Sequence, residues 1–367
     1  MNIPFLDLRR QYGMIKDEID DALERVVSSG IYIGGEEVSS FEKEVAGYVS
    51  VKNAVGVSSG TDALLAMLMA LGVGRDDEVI TTPFTFIATA EVISFLGAKP
   101  VFVDIDEKTF NIDTERLEKA INKKTKGIIP VHLFGQMAEM EKIKGIAEEH
   151  GLWVVEDAAQ SIGAMLNGKM ACSFGDAGCL SFFPSKNLGG FGDGGLVLTN
   201  DDRIASRVRI IKEHGSEKRY HHSVIGINGR LDAIQAAILR VKLRHLEGWI
   251  EKRIEHARIY NEGLKGLVSV PETKDGYRHV FNQYCILTDR RDELAKFLNE
   301  RGIPTAIYYP MPLHLQPVFA YLGYREGDFP VSESVSRQIL ALPIFPELTT
   351  EEQNYIIESI RAFLSFK

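Results

Sequence analysis

A chain of 367 residues that is 45% hydrophobic and 25% charged has the composition of a soluble globular protein, long enough for a large domain and a smaller one. Its net charge of −9, without any dense Lys/Arg run, argues against a nucleic-acid partner. The longest apolar run, Ala63 to Val73, is too short to span a bilayer, and MNIPFLDLRRQYG does not read as a signal peptide, so a cytoplasmic protein without a membrane partner is expected.

In chain order, Ile15, Ile19, Leu23 and Val26–Val27 recur at helical spacing and stop at Gly30, and Val38, Phe41, Val45 and Val49 repeat the pattern. From Asn53 onward strand-like pieces alternate with helical ones. AVGVSS, EVITT, PVFVDID, GIIPVHLFG and LWVVED read as strands, with helices over 62–71, 86–96, 113–121 and 138–150 between them. Short, nearly all-apolar strands separated by helices predict a largely parallel sheet covered on both faces. After Asp157 the strand-like GCLSFF and GGLVLTN are joined by a Gly-rich loop instead of a helix. A long helix follows over 231–264, then a strand FNQYCILT, a helix over 292–301 and a last helix over 351–366. The division expected is a large domain over 1–250 and a small α/β domain over 251–367, with the boundary near 245–265.

Cys172, Cys179 and Cys285 show neither metal-ligand spacing nor a disulfide framework, so reduced thiols and no metal are expected. In open α/β sheets ligands bind beyond the carboxyl ends of the strands, and three polar clusters fall at such ends. Ser58-Ser59-Gly60-Thr61-Asp62 opens a helix, where free N–H groups and the dipole suit a phosphate. Taken alone, such a turn is more often plain N-capping. Asp157 ends the strand LWVVED; a carboxylate there needs a cationic partner, which a loop Arg or a protonated pyridine would supply. Lys186 lies in SFFPSKNLGGFGDGG, after an apolar strand and before five glycines in seven positions. Most lysines are solvated surface, but one desolvated by apolar walls becomes a Schiff-base nucleophile. The glycines are expected to let backbone approach a ligand closely and to take φ > 0.

Together SSGTDAL, TFIATA, PVFVDID, PVHLFGQ, EDAAQSIGA, SFFPSKNLGGFGDGG, RYHH…GINGRLDAIQAAIL and YYPMPLHLQP resemble the DegT/DnrJ/EryC1/StrS family of sugar aminotransferases. The resemblance covers nearly the whole chain. It implies a fold-type-I, aspartate aminotransferase-like architecture, pyridoxal phosphate (PLP) as cofactor with its pyridoxamine form as intermediate, and a homodimer with a shared site. It implies Lys186 as the Schiff-base lysine and proton shuttle, and Asp157 as partner of the pyridinium nitrogen. Gln160 would meet the ring hydroxyl, and Phe86 would stack on the ring. Gly60, Thr61 and Ser181 would hold the phosphate, with Asn228 reaching it from the neighbouring subunit. Arg230, Tyr308, Tyr309 and His314 are candidates for the sugar-nucleotide pocket, with a structural ion pair for Arg230 and simple packing for the others as the alternatives. The GDGG loop and RYHH segment resemble the members that aminate C3 of UDP- or dTDP-linked 3-keto sugars, with glutamate as the expected donor, for surface polysaccharide or glycan biosynthesis. Amination at C4, a PLP-dependent sugar dehydrase and a non-catalytic regulator are the alternatives. Lys186 argues against the dehydrase branch, where His replaces the lysine.

Overall fold

The computed structural model describes residues 1–365. Two helices open it, α1 (Leu8–Ser29) and α2 (Gly35–Val49). Asp7 caps the first by accepting the N–H groups of Arg9 and Arg10, and Gly30 ends it at φ 66°, a left-handed geometry without penalty for glycine. Ile15, Ile19 and Val26, and Val38, Phe41, Val45 and Val49, are buried, so most of each apolar stripe is the packed face; Leu23 is partly buried and Val27, one position off the stripe, is 58% exposed.

The alternating region gives β1 (Asn53–Val57), α3 (Gly60–Ala70), β2 (Glu78–Thr81), α4 (Ala88–Phe95), β3 (Lys99–Phe102), α5 (Thr114–Leu117), β4 (Thr125–Ile128), α6 (Met140–His150) and β5 (Trp153–Asp157). The helix expected over 113–121 is one α-turn running into a 3-10 turn, Glu118–Ala120. The helix expected from Phe86 begins at Ala88, which leaves Phe86 on the loop. Two short strands, β6 (Met165–Leu166) and β7 (Lys169–Met170), precede β8 (Ala177–Ser181) and β9 (Gly195–Thr199).

Seven strands form one sheet in the order β1-β9-β8-β5-β4-β2-β3. Pairs from β8 to β3 are parallel, whereas β9 runs antiparallel to both β1 and β8. Six strands therefore point one way, and their carboxyl ends share an edge with the amino end of β9. Side chains alternate between two buried faces. Val55, Val57 and Val197 pack with α3, while Ala54, Leu196 and Leu198 pack with α2.

Beyond the sheet come α7 (Asp202–Ile211), β10 (Ser216–Lys218), β11 (His221–His222), α8 (Ala233–Leu264), β12 (Tyr277–Arg278), β13 (Tyr284–Leu287), α9 (Arg291–Glu300), α10 (Pro330–Gln338), β14 (Ile339–Leu342) and α11 (Thr350–Ser365). The sequence reading did not find α7, α10 or β14, and the strand expected over 281–288 is reduced to β13. Phe366, expected at the end of the last helix, lies outside the described residues. The 32 residues of α8, about 48 Å long at 1.5 Å per residue, enter two cores. Ala236, Leu239, Leu246 and Ile250 pack in the sheet core, and Ala257, Tyr260 and Leu264 pack with Tyr284, Leu298, Leu342 and Ile360. Ile3 joins the second core, its N–H donating to Gly302 C=O at 2.9 Å. No helix among the described residues is long and apolar enough to cross a membrane.

Candidate active site

The reversed strand brings the site together. Gly195 pairs with Val57 on one side and with Ser181 on the other, so the turn after β1 and the end of β8 become neighbours. A Cβ on Gly195 would lie 2.2 Å from the Ser59 carbonyl oxygen, and one on Gly60 2.8 Å from Ser181 Cβ. Ser59 caps α3 by accepting the Asp62 N–H at 3.0 Å, and the Ser58 hydroxyl donates to the Asp62 carboxylate. The N–H groups of Gly60 and Thr61 have no acceptor among the described residues. They form a positive cup at the start of an eleven-residue helix.

Asp157 sits at the carboxyl end of β5 with 5% of its surface exposed. Its Oδ2 accepts the Thr89 hydroxyl at 2.7 Å, and its Oδ1 accepts the Ala159 N–H at 3.2 Å, with the Cys179 thiol at 3.6 Å. All three donors are neutral. Lys186 follows β8, and although the residue is only partly covered, its amine is deeply placed. Burial lowers its pKa from 10.5 to about 8, against the opposing pull of Asp157. Its Nζ has no hydrogen-bond partner among the described residues. A desolvated, unpaired amine facing a carboxylate that itself lacks a bonded cation is a site arranged for a group not supplied by the protein.

Gln160 and Tyr309 close the wall. Gln160 Oε1 accepts the Phe134 N–H at 2.7 Å, and its Nε2 donates to Tyr309 Oη at 3.3 Å. Burial, with a smaller contribution from Asp157, pushes the Tyr309 phenol pKa up. Phe86 is 56% exposed, its ring centroid 6.5 Å from that of Tyr309. Such exposure of an aromatic ring beside a buried carboxylate suits a stacking partner.

The DegT/DnrJ/EryC1/StrS aminotransferase family model matches residues 14–361. This chain belongs to that family. As a DegT/DnrJ/EryC1/StrS aminotransferase, it is 53% identical over 367 residues to a pleiotropic regulatory protein of Geobacillus stearothermophilus, covering 99% of each chain. It is 46% identical over 363 residues to the UDP-N-acetyl-3-dehydro-alpha-D-glucosamine 3-aminotransferase of Acidithiobacillus ferrooxidans, covering 99% of this chain and 98% of the relative. Among solved structures, S. venezuelae DesV in complex with a ketimine intermediate superposes with a TM-score of 0.98 at 42% identity, covering 100% of this chain and 99% of that one. The expected fold class is borne out by that match and by the mostly parallel sheet.

The residues of this DegT/DnrJ/EryC1/StrS aminotransferase fit pyridoxal phosphate: a free N–H cup for the phosphate, a partnerless amine for the aldehyde and a buried carboxylate for the ring nitrogen. Gly195→Ala tests the cup. The added methyl must displace the Ser59 carbonyl, so stability should fall by about 1–3 kcal/mol and cofactor affinity by tenfold or more. A thermal melt and cofactor titration matching wild type would contradict this.

The other sequence candidates make these contacts. Arg230 Nη1 pairs with Glu213 at 2.9 Å, the structural ion pair named as its alternative. His314 is 2% exposed, bonds Glu333 Oε1 at 3.0 Å and packs on Phe329 with ring centroids 4.7 Å apart, contacts of the packing kind named as its alternative. Tyr308 is half-buried and touches Tyr309. Asn228 is exposed, next to Gly229, whose carbonyl accepts the Ser58 N–H at 3.2 Å.

Three supporting residues escaped the sequence reading. Thr89 holds Asp157, and its spacing of three from Phe86 at the start of a helix was the available signal. His132 and Glu156 are both buried completely behind it, joined at 2.9 Å. His132 Nδ1 accepts the Ala138 N–H at 3.1 Å, so the ring proton is on Nε2 and is donated to Glu156. That carboxylate also accepts the N–H groups of Cys172, Phe174 and Gly175, fixing the strand end that presents Asp157.

Proposed function

We propose that this chain transfers an amino group from L-glutamate to C3 of a UDP- or dTDP-linked 3-keto sugar, using pyridoxal phosphate, in cytoplasmic synthesis of a surface polysaccharide or glycan. The single observation carrying the reading is the unpaired Lys186 amine on the same sheet edge as the Asp157 carboxylate and the free N–H cup at Gly60–Thr61. The C3 position is supported by the 3-aminotransferase activity of the Acidithiobacillus relative and by the GDGG loop.

When bound, the cofactor supplies an electron sink for a carbanion beside nitrogen. Lys186 would be the nucleophile and would carry the proton at the reacting carbon. Asp157 would hold the ring nitrogen cationic, Gln160 would meet the ring hydroxyl, and Phe86 would cover the ring face. Gly60, Thr61 and Ser181 would hold the phosphate. Asn228 completes that cup across a homodimer. Support for a covered surface there comes from Tyr220 and Ile225, 80% and 86% exposed on the same segment. Tyr308 and Tyr309 line the sugar side, and Arg230 meets the diphosphate only if Glu213 releases it. The two cores joined by α8 support a large domain over 1–250 and a small one over 251–367.

A regulatory role is the second reading, favoured by the likeness to the pleiotropic regulatory protein of Geobacillus stearothermophilus. One experiment separates the two. Holoprotein given glutamate without sugar should lose its visible absorbance and release 2-oxoglutarate. Adding a 3-keto sugar nucleotide should restore the absorbance and yield a C3 amine by NMR. An amine at C4, or a product without nitrogen, replaces the reaction assigned here. No spectral response to any amino acid ends the transferase reading in favour of the regulator.

A further inference from the structure

The loop that follows Lys186 is gripped from behind by α8. None of its five glycines has a left-handed φ, so backbone freedom is not the reason for them. Crowding is. A Cβ on Gly190 would stand 2.7 Å from Gln235 Oε1, and one on Gly192 3.0 Å from Gln235 Nε2. Gln235 Oε1 accepts the Phe191 N–H at 2.8 Å. Seven residues further, two helical turns along the same face, Lys242 donates from Nζ to the Gly189 carbonyl at 2.7 Å. The Lys242 ammonium also lies 4.9 Å from the Phe191 ring centroid. One loop N–H and one loop carbonyl are thus held at two points of a single rigid rod.

Lys242 is 2% exposed and has no carboxylate within ion-pair distance among the described residues. Burial lowers its pKa to about 8, with Glu347 the one charge opposing that shift. A buried ammonium is costly without a close partner, and the acceptor found for it here is the carbonyl three residues after Lys186. The loop is closed at its base as well. Gly190 N–H donates to Phe182 C=O at 2.8 Å and Lys186 N–H to Phe183 C=O at 2.8 Å, which puts Lys186 inside a turn whose far end is the clamped segment.

We propose that Gln235 and Lys242 are positioning residues that clamp the turn carrying Lys186 and hold its amine in the desolvated place from which it reacts. Neither touches the cofactor cup; both act through the loop. The inference deepens the aminotransferase reading and rests on it for the meaning of Lys186, but its test does not need turnover.

The test is competitive acetylation of the apoprotein across pH, with Lys186 followed by mass spectrometry, beside the rate of pyridoxal phosphate capture. Gln235→Met removes the acceptor at similar size, and Lys242→Met removes the ammonium but keeps the stem. In each, the Lys186 midpoint should rise by about half a pH unit or more as water reaches the amine, and capture at neutral pH should slow about threefold or more. Gln235→Glu keeps an oxygen facing the Phe191 N–H and should behave as wild type. A lowered melting temperature with the Lys186 midpoint unchanged overturns the clamp and leaves both residues as packing. Should Lys242→Met not fold, the partly exposed Gln235 decides alone. If wild type captures no cofactor, the aminotransferase reading falls while the acetylation midpoints still report on the clamp.

Discussion

Lys186→Ala is expected to give a folded protein that stays colourless with pyridoxal phosphate and transfers amino groups about 10⁴-fold more slowly or worse. The wild-type amine makes no hydrogen bond among the described residues, and burial works against its charge. Its removal therefore breaks no bonded partner, and the melting temperature should stay within a few degrees. Chemistry suffers for the opposite reason. With the pKa lowered from 10.5 to about 8, the neutral, nucleophilic fraction at pH 7 is about 300-fold larger than for an ordinary lysine. The other largely buried lysines among the described residues are engaged, Lys242 with Gly189 and Lys212 with Gly56 and Glu42. Borohydride should fix the cofactor to the wild-type chain and leave the variant unlabelled, as peptide mass would show. A yellow variant, or one with wild-type turnover, means that the Schiff-base lysine lies elsewhere.

The parts of this site that were legible in the sequence were those where one residue type has few alternative uses. A lysine between an apolar strand and a glycine cluster, and a carboxylate ending an all-apolar strand, are both costly placements unless a ligand justifies them. The strands themselves were readable because both faces of the sheet are buried, which makes each of them a short apolar block. What stayed hidden depends on partners distant in the chain. ILAL at 339–342 directly follows α10 without a turn residue, and its pairing with β13 makes it a strand. Thr89 reads as one more small residue in a helix until β5 brings Asp157 beside it. For His314 the sequence left the sugar pocket and simple packing open, and its partners Glu333 and Phe329 lie too far along the chain for local pattern to name them. The glycines after Lys186 were expected to take φ > 0, and none does; they crowd instead against Gln235, Ser59 and the loop's own carbonyls.

Asp157→Asn carries the second large effect, a fall of about 10²–10³ in turnover with the fold intact. Asparagine matches the carboxylate in shape, and its oxygen can still accept the Thr89 hydroxyl, 2.7 Å away in the wild type; its NH2 then replaces the acceptor of the Ala159 N–H and Cys179 thiol, a loss of about 1–3 kcal/mol that the fold should survive. What disappears is the negative charge. Buried among Thr89, Ala159 and Cys179, none of which carries a charge, that carboxylate is stabilised by nothing that a cation would not stabilise far better. A ring nitrogen bonded to it would keep its proton, and with it the electron sink the cofactor supplies; an amide would leave that nitrogen neutral and the sink weak. Cofactor affinity should fall too, since one charge-assisted hydrogen bond is lost. The decisive comparison is with cofactor whose ring nitrogen is replaced by carbon. Wild type should lose most of its rate with that analogue, whereas Asp157→Asn, already without the benefit, should lose little more. Equal losses in the two proteins would mean that Asp157 acts on something other than the ring nitrogen.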